Sequence, residues 1–281
     1  MITNLPIHAV LDDLKAALAN GNDAVLEAPP GAGKTTIVPI ELLSEKWLQG
    51  QKILLLEPRR IATRNAAQRM ADLLGESVGQ WVGYRMRLDS KTSQQTQIEV
   101  ITEGILTRML MDDPALTGIG LVIFDEYHER SLDADLGLAL CLKTREIFRD
   151  RPLKLLVMSA TLEGQRLAEL LENAPVISSQ GQSWPVEIHY GIASQPGQRI
   201  VDRVLHAIHS ALKAHPNSSQ LVFLPGEGEI RQVAAGLTTD ARTLIAPLFG
   251  NLSLEEQRQA IAPVSGKIER KIVLATNIAE T

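Results

Sequence analysis

The feature that most constrains this chain is a glycine-containing loop between an apolar run and an amphipathic segment. The run Ala24–Leu26 leads into residues 28–35, which read Ala-Pro-Pro-Gly-Ala-Gly-Lys-Thr. Glycines let backbone N–H groups turn toward an anion, and a helix that follows directly presents its positive N-terminus to the same point. The order of strand, loop and helix therefore predicts a phosphate-binding loop in an α/β fold, in preference to an ordinary glycine turn.

The residue types of the loop predict how it holds a nucleoside triphosphate with Mg²⁺. Lys34 is expected to reach the β- and γ-phosphates, and the Thr35 hydroxyl is expected to ligate Mg²⁺. The usual pattern begins with Gly where this chain has Ala28, but the glycines closest to the lysine remain. The residues predicted to bind the nucleotide are Ala28, Pro29, Pro30, Gly31, Ala32, Gly33, Lys34, Thr35 and Thr36.

A second apolar run ends in an acidic pair. Leu121–Phe124 is followed by Asp125-Glu126-Tyr127-His128. One carboxylate at such a strand end serves the Mg²⁺ shell, and the other orients and polarises the attacking water. Asp125 and Glu126 are therefore predicted catalytic residues and, together with Thr35, predicted metal ligands. A plain acidic helix start is the alternative, and the phosphate loop makes it the weaker one.

Composition bounds the class of protein. A chain of 281 residues with 44% hydrophobic and 22% charged side chains is typical of a globular protein of one large or two ordinary domains. The single cysteine, Cys141, indicates a reducing compartment, and no run is long and apolar enough to span a membrane. The first residues also lack the pattern of a signal peptide. We therefore expect a cytoplasmic protein without a membrane partner.

Net charge by itself favours no polyanionic partner. The formal value is −5, whereas strong electrostatic binders of nucleic acid usually carry a basic excess. Basic residues nevertheless cluster along one stretch of sequence, at Arg59, Arg60, Arg64, Arg69, Arg85 and Arg87. Such a local stripe is compatible with a groove for nucleic acid.

Short apolar runs alternate with helical stretches, which predicts parallel sheets covered on both faces. Strands are predicted at 24–27, 52–57, 98–102, 121–125, 154–159, 185–192, 220–224, 243–248 and 271–275. Helices are predicted at 34–49, 60–74, 104–111, 133–148, 199–214, 229–237 and 253–261. The stretch 174–197 is rich in Ser, Gln, Gly and Pro, so the predicted domains are residues 1–180 and 181–281.

The segment Asp125–Leu132 resembles the signature of the DEAH-box helicases of superfamily 2. Other segments resemble further motifs of that family in the family's order: 58–60, 102–104, 159–161, 221–226 and 275–281. Residues 57–60 and 82–87 are most similar to the bacterial HrpB-type branch. The resemblance implies tandem RecA-like phosphate-loop NTPase lobes, the second incomplete, and an ATP-dependent RNA helicase that uses ATP and Mg²⁺.

The resemblance also implies roles for single residues. His128 would be a catalytic-site residue that links the nucleotide to the second lobe, and Ser159 and Thr161 would transmit the nucleotide state. Arg69 would stack on the adenine, opposite the aliphatic Ile261. Contacts to the backbone of single-stranded RNA would come from Arg59, Arg60, Arg87, Thr102 and Thr276. A DNA substrate stays open, and a lone motor of this type implies a monomer.

One family element is absent from the sequence. No Gln-Arg-X-Gly-Arg-X-Gly-Arg pattern occurs in residues 1–281. An arginine finger is worth roughly 10³–10⁵ in turnover in related phosphoryl-transfer enzymes, so we expect these residues to bind ATP but hydrolyse it poorly. Two other hypotheses remain: an ATPase that remodels protein complexes without moving on nucleic acid, and a nucleotide-gated binding scaffold without hydrolysis.

Overall fold

In the computed structural model the contacts divide the chain into two compact units, Met1–Pro185 and Val186–Thr281. The structure describes residues 5–160, 164–180, 186–191, 193 and 197–280. Among these residues, none of the helices combines the length and the apolar character that crossing a membrane requires.

The first unit is built on one eight-stranded sheet. Its strands are β1 Asp23–Glu27, β2 Lys52–Glu57, β3 Val82–Met86, β4 Asp89–Lys91, β5 Ile98–Thr102, β6 Ile119–Phe124, β7 Lys154–Ser159 and β8 Val176–Ser178. The spatial order is β4-β3-β5-β2-β6-β7-β1-β8, and only the β3–β4 pair is antiparallel. The strands β1, β2, β5, β6 and β7 therefore all end at the same edge.

Helices cover both faces of this sheet. They are α1 Leu11–Asn20, α2 Lys34–Leu42, α3 Arg60–Leu74, α4 Glu103–Asp112, α5 Leu132–Ile147 and α6 Gly164–Leu170. Successive strand residues point to opposite faces, so Leu26 packs in the cluster that contains α1, α2 and α3 side chains. Its neighbour Val25 packs with side chains of α4, α5 and α6. The parallel strands β1, β2, β5, β6 and β7 are buried on both faces, as parallel sheets require.

The second unit carries a three-stranded parallel sheet in the order β10-β11-β9. Its elements are α7 Ile200–Ala214, β9 Gln220–Phe223, α8 Glu227–Gly236, β10 Thr243–Leu248, α9 Leu254–Ile261 and β11 Arg270–Ala275. Ile208, Val233 and Leu274 lie in its buried core. The prediction of an α/β fold built on parallel sheets is confirmed for both units.

Two predicted elements are wrong. The helix predicted at 34–49 ends at Leu42, because extended backbone at Glu45 leads into a separate 3-10 turn whose Leu48 is buried in the core. The predicted strand 185–192 does not form at residues 186–191, where no neighbouring strand pairs with it, and Pro185 and Ile192 lie outside the described residues. The β3–β4 hairpin is formed although the sequence patterns did not predict it.

Candidate nucleotide and nucleic-acid site

The phosphate loop and the acidic pair meet at the carboxyl edge of the large sheet. The loop follows β1 and the acids follow β6, and β7 lies between these two strands. The Lys34 Nζ lies 2.7 Å from Glu126 Oε1, and the Thr35 hydroxyl donates to Asp125 Oδ2 at 2.5 Å. The residues predicted to hold phosphate and Mg²⁺ are therefore neighbours in space, although 90 or more positions separate them in sequence.

The backbone of the loop has the shape that its glycines permit. Gly31 and Gly33 adopt φ of 75° and 95°, which is the left-handed region. Gly33 is the N-cap of α2, so Lys34 and Thr35 occupy the first turn, where free N–H groups and the helix dipole favour an anion. The Lys34 side chain is buried, and its ammonium is directed at the acids.

Asp125 sits in an environment that resists its ionisation. Burial raises the pKa of Asp125 to about 6. The negative charge of Glu126 adds to the increase, and the positive charge of Lys34 together with the hydrogen bond from Thr35 opposes it. The backbone at Glu126 is in the left-handed region at φ 48°, and its N–H donates to Asp125 Oδ1 at 2.8 Å. Such a backbone is unusual for a residue with a side chain and is common at functional sites.

A third carboxyl belongs to this group. Glu57 ends β2, and its exposed fraction is 2%. Burial raises its pKa well above the usual range, and the charges of Asp125 and Glu126 raise it further. The sequence motif at 57–60 marked the position but suggested no role for this side chain. The sequence pattern that could have indicated a role for Glu57 is an acidic residue at the end of an otherwise apolar strand. In the structure that strand lies beside β6.

The donor set fits a Mg²⁺–nucleotide complex. Mg²⁺ is held in such sites by one or two carboxylates and a hydroxyl, with substrate phosphates and water completing its six oxygen ligands. The Thr35 hydroxyl and the Asp125 carboxylate supply oxygen atoms of this kind, and the two groups are hydrogen-bonded to each other. Among the described residues, no group of three or more His, Cys, Asp or Glu forms a metal site of its own. That pattern is expected where the nucleotide provides part of the coordination.

His128 connects the acids to the segment after β7. Its Nδ1 accepts a hydrogen bond from the Ala160 backbone amide at 3.3 Å and lies 3.4 Å from Glu126 Oε2. The neighbouring Ser159 is buried, and its carbonyl accepts from the Ala28 amide at the base of the phosphate loop. Thr161, the other predicted coupling residue, lies outside the described residues.

The residues predicted to contact nucleic acid lie on several elements of the two units. Arg59 pairs with Glu129, and Arg60 donates to the Arg87 carbonyl at 3.4 Å. Thr102 is the N-cap of α4, at the end of β5. Thr276 follows β11 in the second unit, where its amide donates to the Leu248 carbonyl. Arg69, predicted to stack on the adenine, is exposed on α3, and Ile261 is exposed at the end of α9.

Glu27 is another carboxylate whose role the sequence patterns did not indicate. It ends β1 directly before the phosphate loop and is buried. Its Oε1 accepts from the Gly164 amide at 2.8 Å, and its Oε2 accepts from the Ser178 hydroxyl at 2.9 Å. Only the folded arrangement brings these partners together, because they lie on α6 and β8.

The fold and the site together define a helicase of the DEAD/DEAH box class. The chain belongs to the DEAD/DEAH box helicase family, whose model matches residues 12–170. It is 50% identical to the ATP-dependent RNA helicase HrpB of Escherichia coli (strain K12), over all of this chain and 34% of that protein. It is 35% identical to the ATP-dependent RNA helicase HrpA of Borreliella burgdorferi, over 99% of this chain and 34% of that protein.

A solved structure agrees with these relatives. The crystal structure of the Escherichia coli DEAH/RHA helicase HrpB matches with a TM-score of 0.91 and 50% identity, over 99% of this chain and 35% of that chain. The predicted resemblance to DEAH-box helicases of the HrpB type is thereby confirmed. The chain spans about one third of the length of these two relatives.

Proposed function

We propose that this chain is the motor region of an ATP-dependent RNA helicase. The observation that carries the proposal is the meeting of Lys34 and Thr35 with Asp125 and Glu126 at one sheet edge. Family membership supports it, since the relatives named above are described as ATP-dependent RNA helicases.

In this proposal each group at the sheet edge has one task. The ammonium of Lys34 leaves its contact with Glu126 and neutralises the β- and γ-phosphates, and the α2 N-terminus holds the same phosphates. Thr35 and Asp125 would hold Mg²⁺, and the bound ion would supply positive charge at the site of phosphoryl transfer. Glu126 then orients the attacking water, and His128, which lies beside Glu126, accepts from the Ala160 amide in the segment after β7.

RNA is proposed to bind through its backbone. Arginine side chains and N–H groups at helix starts bind phosphates without reading sequence, which suits a motor that steps along any strand. Arg59, Arg60, Arg87 and Thr102 are the proposed contacts in the first unit, and Thr276 is the proposed contact in the second. We propose that the two units correspond to a first RecA-like lobe and part of a second. Monomeric action and a cytoplasmic location stay predictions of the sequence.

Residues 1–281 alone are proposed to bind ATP but turn it over slowly. The support is the absence from this sequence of an arginine pattern that could reach the γ-phosphate. Removing such an arginine costs roughly 10³–10⁵ in rate in related phosphoryl-transfer enzymes. Fluorescent-nucleotide binding with phosphate release measured on the same preparation tests this proposal, and fast RNA-stimulated turnover by these residues alone contradicts it.

The decisive experiment is ATP turnover by the full-length gene product with and without single-stranded RNA. Glu126→Gln serves as the blank, and Glu146→Gln, an exposed acid paired with Lys143 near the end of α5, is the matched control. Stimulation by RNA that disappears only in Glu126→Gln supports the helicase motor. Turnover that is indifferent to RNA rejects the motor and favours an ATPase that remodels protein complexes. Nucleotide binding without any turnover favours the scaffold hypothesis.

A further inference from the structure

An ion pair joins a proposed RNA contact to the turn that follows the catalytic acids. The Arg59 Nη2 lies 3.2 Å and 3.3 Å from the two carboxylate oxygens of Glu129. Both side chains are partly accessible, with exposed fractions of 22% and 28%. A phosphate that reaches Arg59 therefore meets a guanidinium that already holds an anion, and it must replace Glu129 or share Arg59 with it.

Glu129 is the last residue of a 3-10 turn, Tyr127–Glu129, which begins directly after Glu126. The same short turn carries His128, whose Nδ1 lies 3.4 Å from Glu126 Oε2 and accepts from the Ala160 amide. The Glu129 amide donates to the Glu126 carbonyl at 2.9 Å, so the backbone of the turn is tied to Glu126 at both ends. A change at the Arg59–Glu129 pair is therefore passed to His128, which directly precedes Glu129 in the sequence. His128 lies beside the carboxylate that is proposed to orient the attacking water.

The chain after the turn is tied to a second proposed RNA-contacting segment. The Ser131 hydroxyl donates to Glu103 Oε2 at 2.5 Å and also accepts from the Ala134 amide as the N-cap of α5. Glu103 directly follows Thr102, the proposed phosphate contact at the start of α4. Ser131 thus fixes the end of the chain segment that follows the turn. The partly accessible Arg59–Glu129 pair is the part of this region that an incoming anion can reach.

We propose that Glu129 is a positioning residue that RNA phosphate displaces from Arg59, and that this exchange transmits RNA binding to His128 and Glu126. The inference rests on the proposed helicase function and adds to it the carboxylate that senses RNA. Two anions compete for one guanidinium, so Glu129 lowers the affinity for RNA and in return makes ATP turnover depend on RNA. A side chain that served stability alone has neither effect.

The test measures binding of fluorescein-labelled oligouridylate and ATP turnover in the full-length gene product and its Glu129→Gln variant. The amide keeps the size of the side chain and removes the competing charge. Partly exposed ion pairs are weak, so RNA binding is expected to tighten about two- to fivefold. The ratio of RNA-stimulated to basal turnover is expected to fall in the same variant. An unchanged or weakened RNA affinity, or an unchanged ratio, overturns the proposal.

Two controls separate this exchange from a general charge effect. Glu146→Gln makes the same change of charge at the far end of α5, and an equal gain in RNA affinity there overturns the proposal. In an Arg59→Gln background the gain from Glu129→Gln must vanish, because coupled residues are not additive; a gain that persists also overturns it. If the unmodified protein shows no RNA-stimulated turnover, the proposed helicase function fails. If the unmodified protein shows RNA-stimulated turnover and Glu129→Gln leaves it unaffected, only the proposal for Glu129 fails.

Discussion

The Glu27 carboxylate accepts a hydrogen bond from the Gly164 amide at 2.8 Å and so joins the strand before the phosphate loop to the start of α6. Its other oxygen accepts from Ser178 on the neighbouring strand β8. A Cβ on Gly164 would lie 2.5 Å from Glu27 Oε1, so any side chain there would displace the Glu27 carboxylate. This buried carboxylate fixes the base of the phosphate loop against two elements that follow β7.

Glu27→Ala is therefore expected to destabilise the first unit. The substitution leaves the buried Gly164 amide without its partner, which costs roughly 1–3 kcal/mol, and it also removes the bond from the more exposed Ser178 hydroxyl. Glu27→Gln is the matched control, since its amide oxygen still accepts one of the two bonds and the loss should be smaller. Urea unfolding monitored by circular dichroism measures both variants. A Glu27→Ala midpoint equal to that of the unmodified protein contradicts the account.

Gly33→Ala is expected to reduce both stability and nucleotide affinity more than Gly31→Ala. Each substitution places a Cβ on left-handed backbone, which costs roughly 1–2 kcal/mol. At Gly33 the added carbon would also lie 2.8 Å from Leu5 Cδ1 and 3.3 Å from Ile7 Cγ2, whereas at Gly31 nothing lies within 4 Å. Titration with a fluorescent ATP analogue measures the difference. Equal affinities in the two variants show that the neighbouring side chains do not constrain the loop.

Thr35→Ala is expected to weaken Mg²⁺-dependent ATP binding about 10- to 100-fold, by analogy with the loss of groups that support a metal site. The variant lacks the hydroxyl proposed as a Mg²⁺ ligand and the hydrogen bond to Asp125. Thr35→Ser keeps the hydroxyl and should bind nearly as well as the unmodified protein. ATP titrations with Mg²⁺ and with EDTA measure the effect. If the two variants bind alike, the hydroxyl is not a ligand.

Cys141 is expected to resist thiol reagents until the protein unfolds. It is fully buried in α5, and burial raises the pKa of its thiol from 9.0 to about 12, although the charge of Arg145 opposes the shift. The unfolded thiol therefore loses its proton at lower pH than the folded one, so its contribution lowers the free energy of unfolding as the pH rises above 9. Labelling with a disulfide reagent in increasing urea tests this. Fast labelling of the native protein contradicts the buried position.

The local patterns of the sequence predicted most of the secondary structure. The strands 52–57 and 154–159 have the observed bounds, because runs of several consecutive apolar residues form strands buried on both faces. The hairpin β3–β4 was missed because Val82–Met86 contains Gly83 and Arg85, which weaken the strand pattern. Its side chains have partners outside β3: Arg85 pairs with Glu99 of β5, and Tyr84 donates to Asp89 of β4.

The sequence alone predicted phosphate and Mg²⁺ binding by the loop at 28–35 and the pair Asp125-Glu126, because those residue types in that order have that chemistry. The partners of these residues follow from the folded arrangement. Parallel strands bring their carboxyl ends to one edge regardless of distance along the chain, and so Glu57 joins Asp125, Glu27 meets Gly164, and Glu129 pairs with Arg59. A linear pattern does not encode such contacts, because they depend on the order of the strands in the sheet. They also depend on the extent of burial: a buried acid has a raised pKa, whereas an acid at the surface stays in its ion pair.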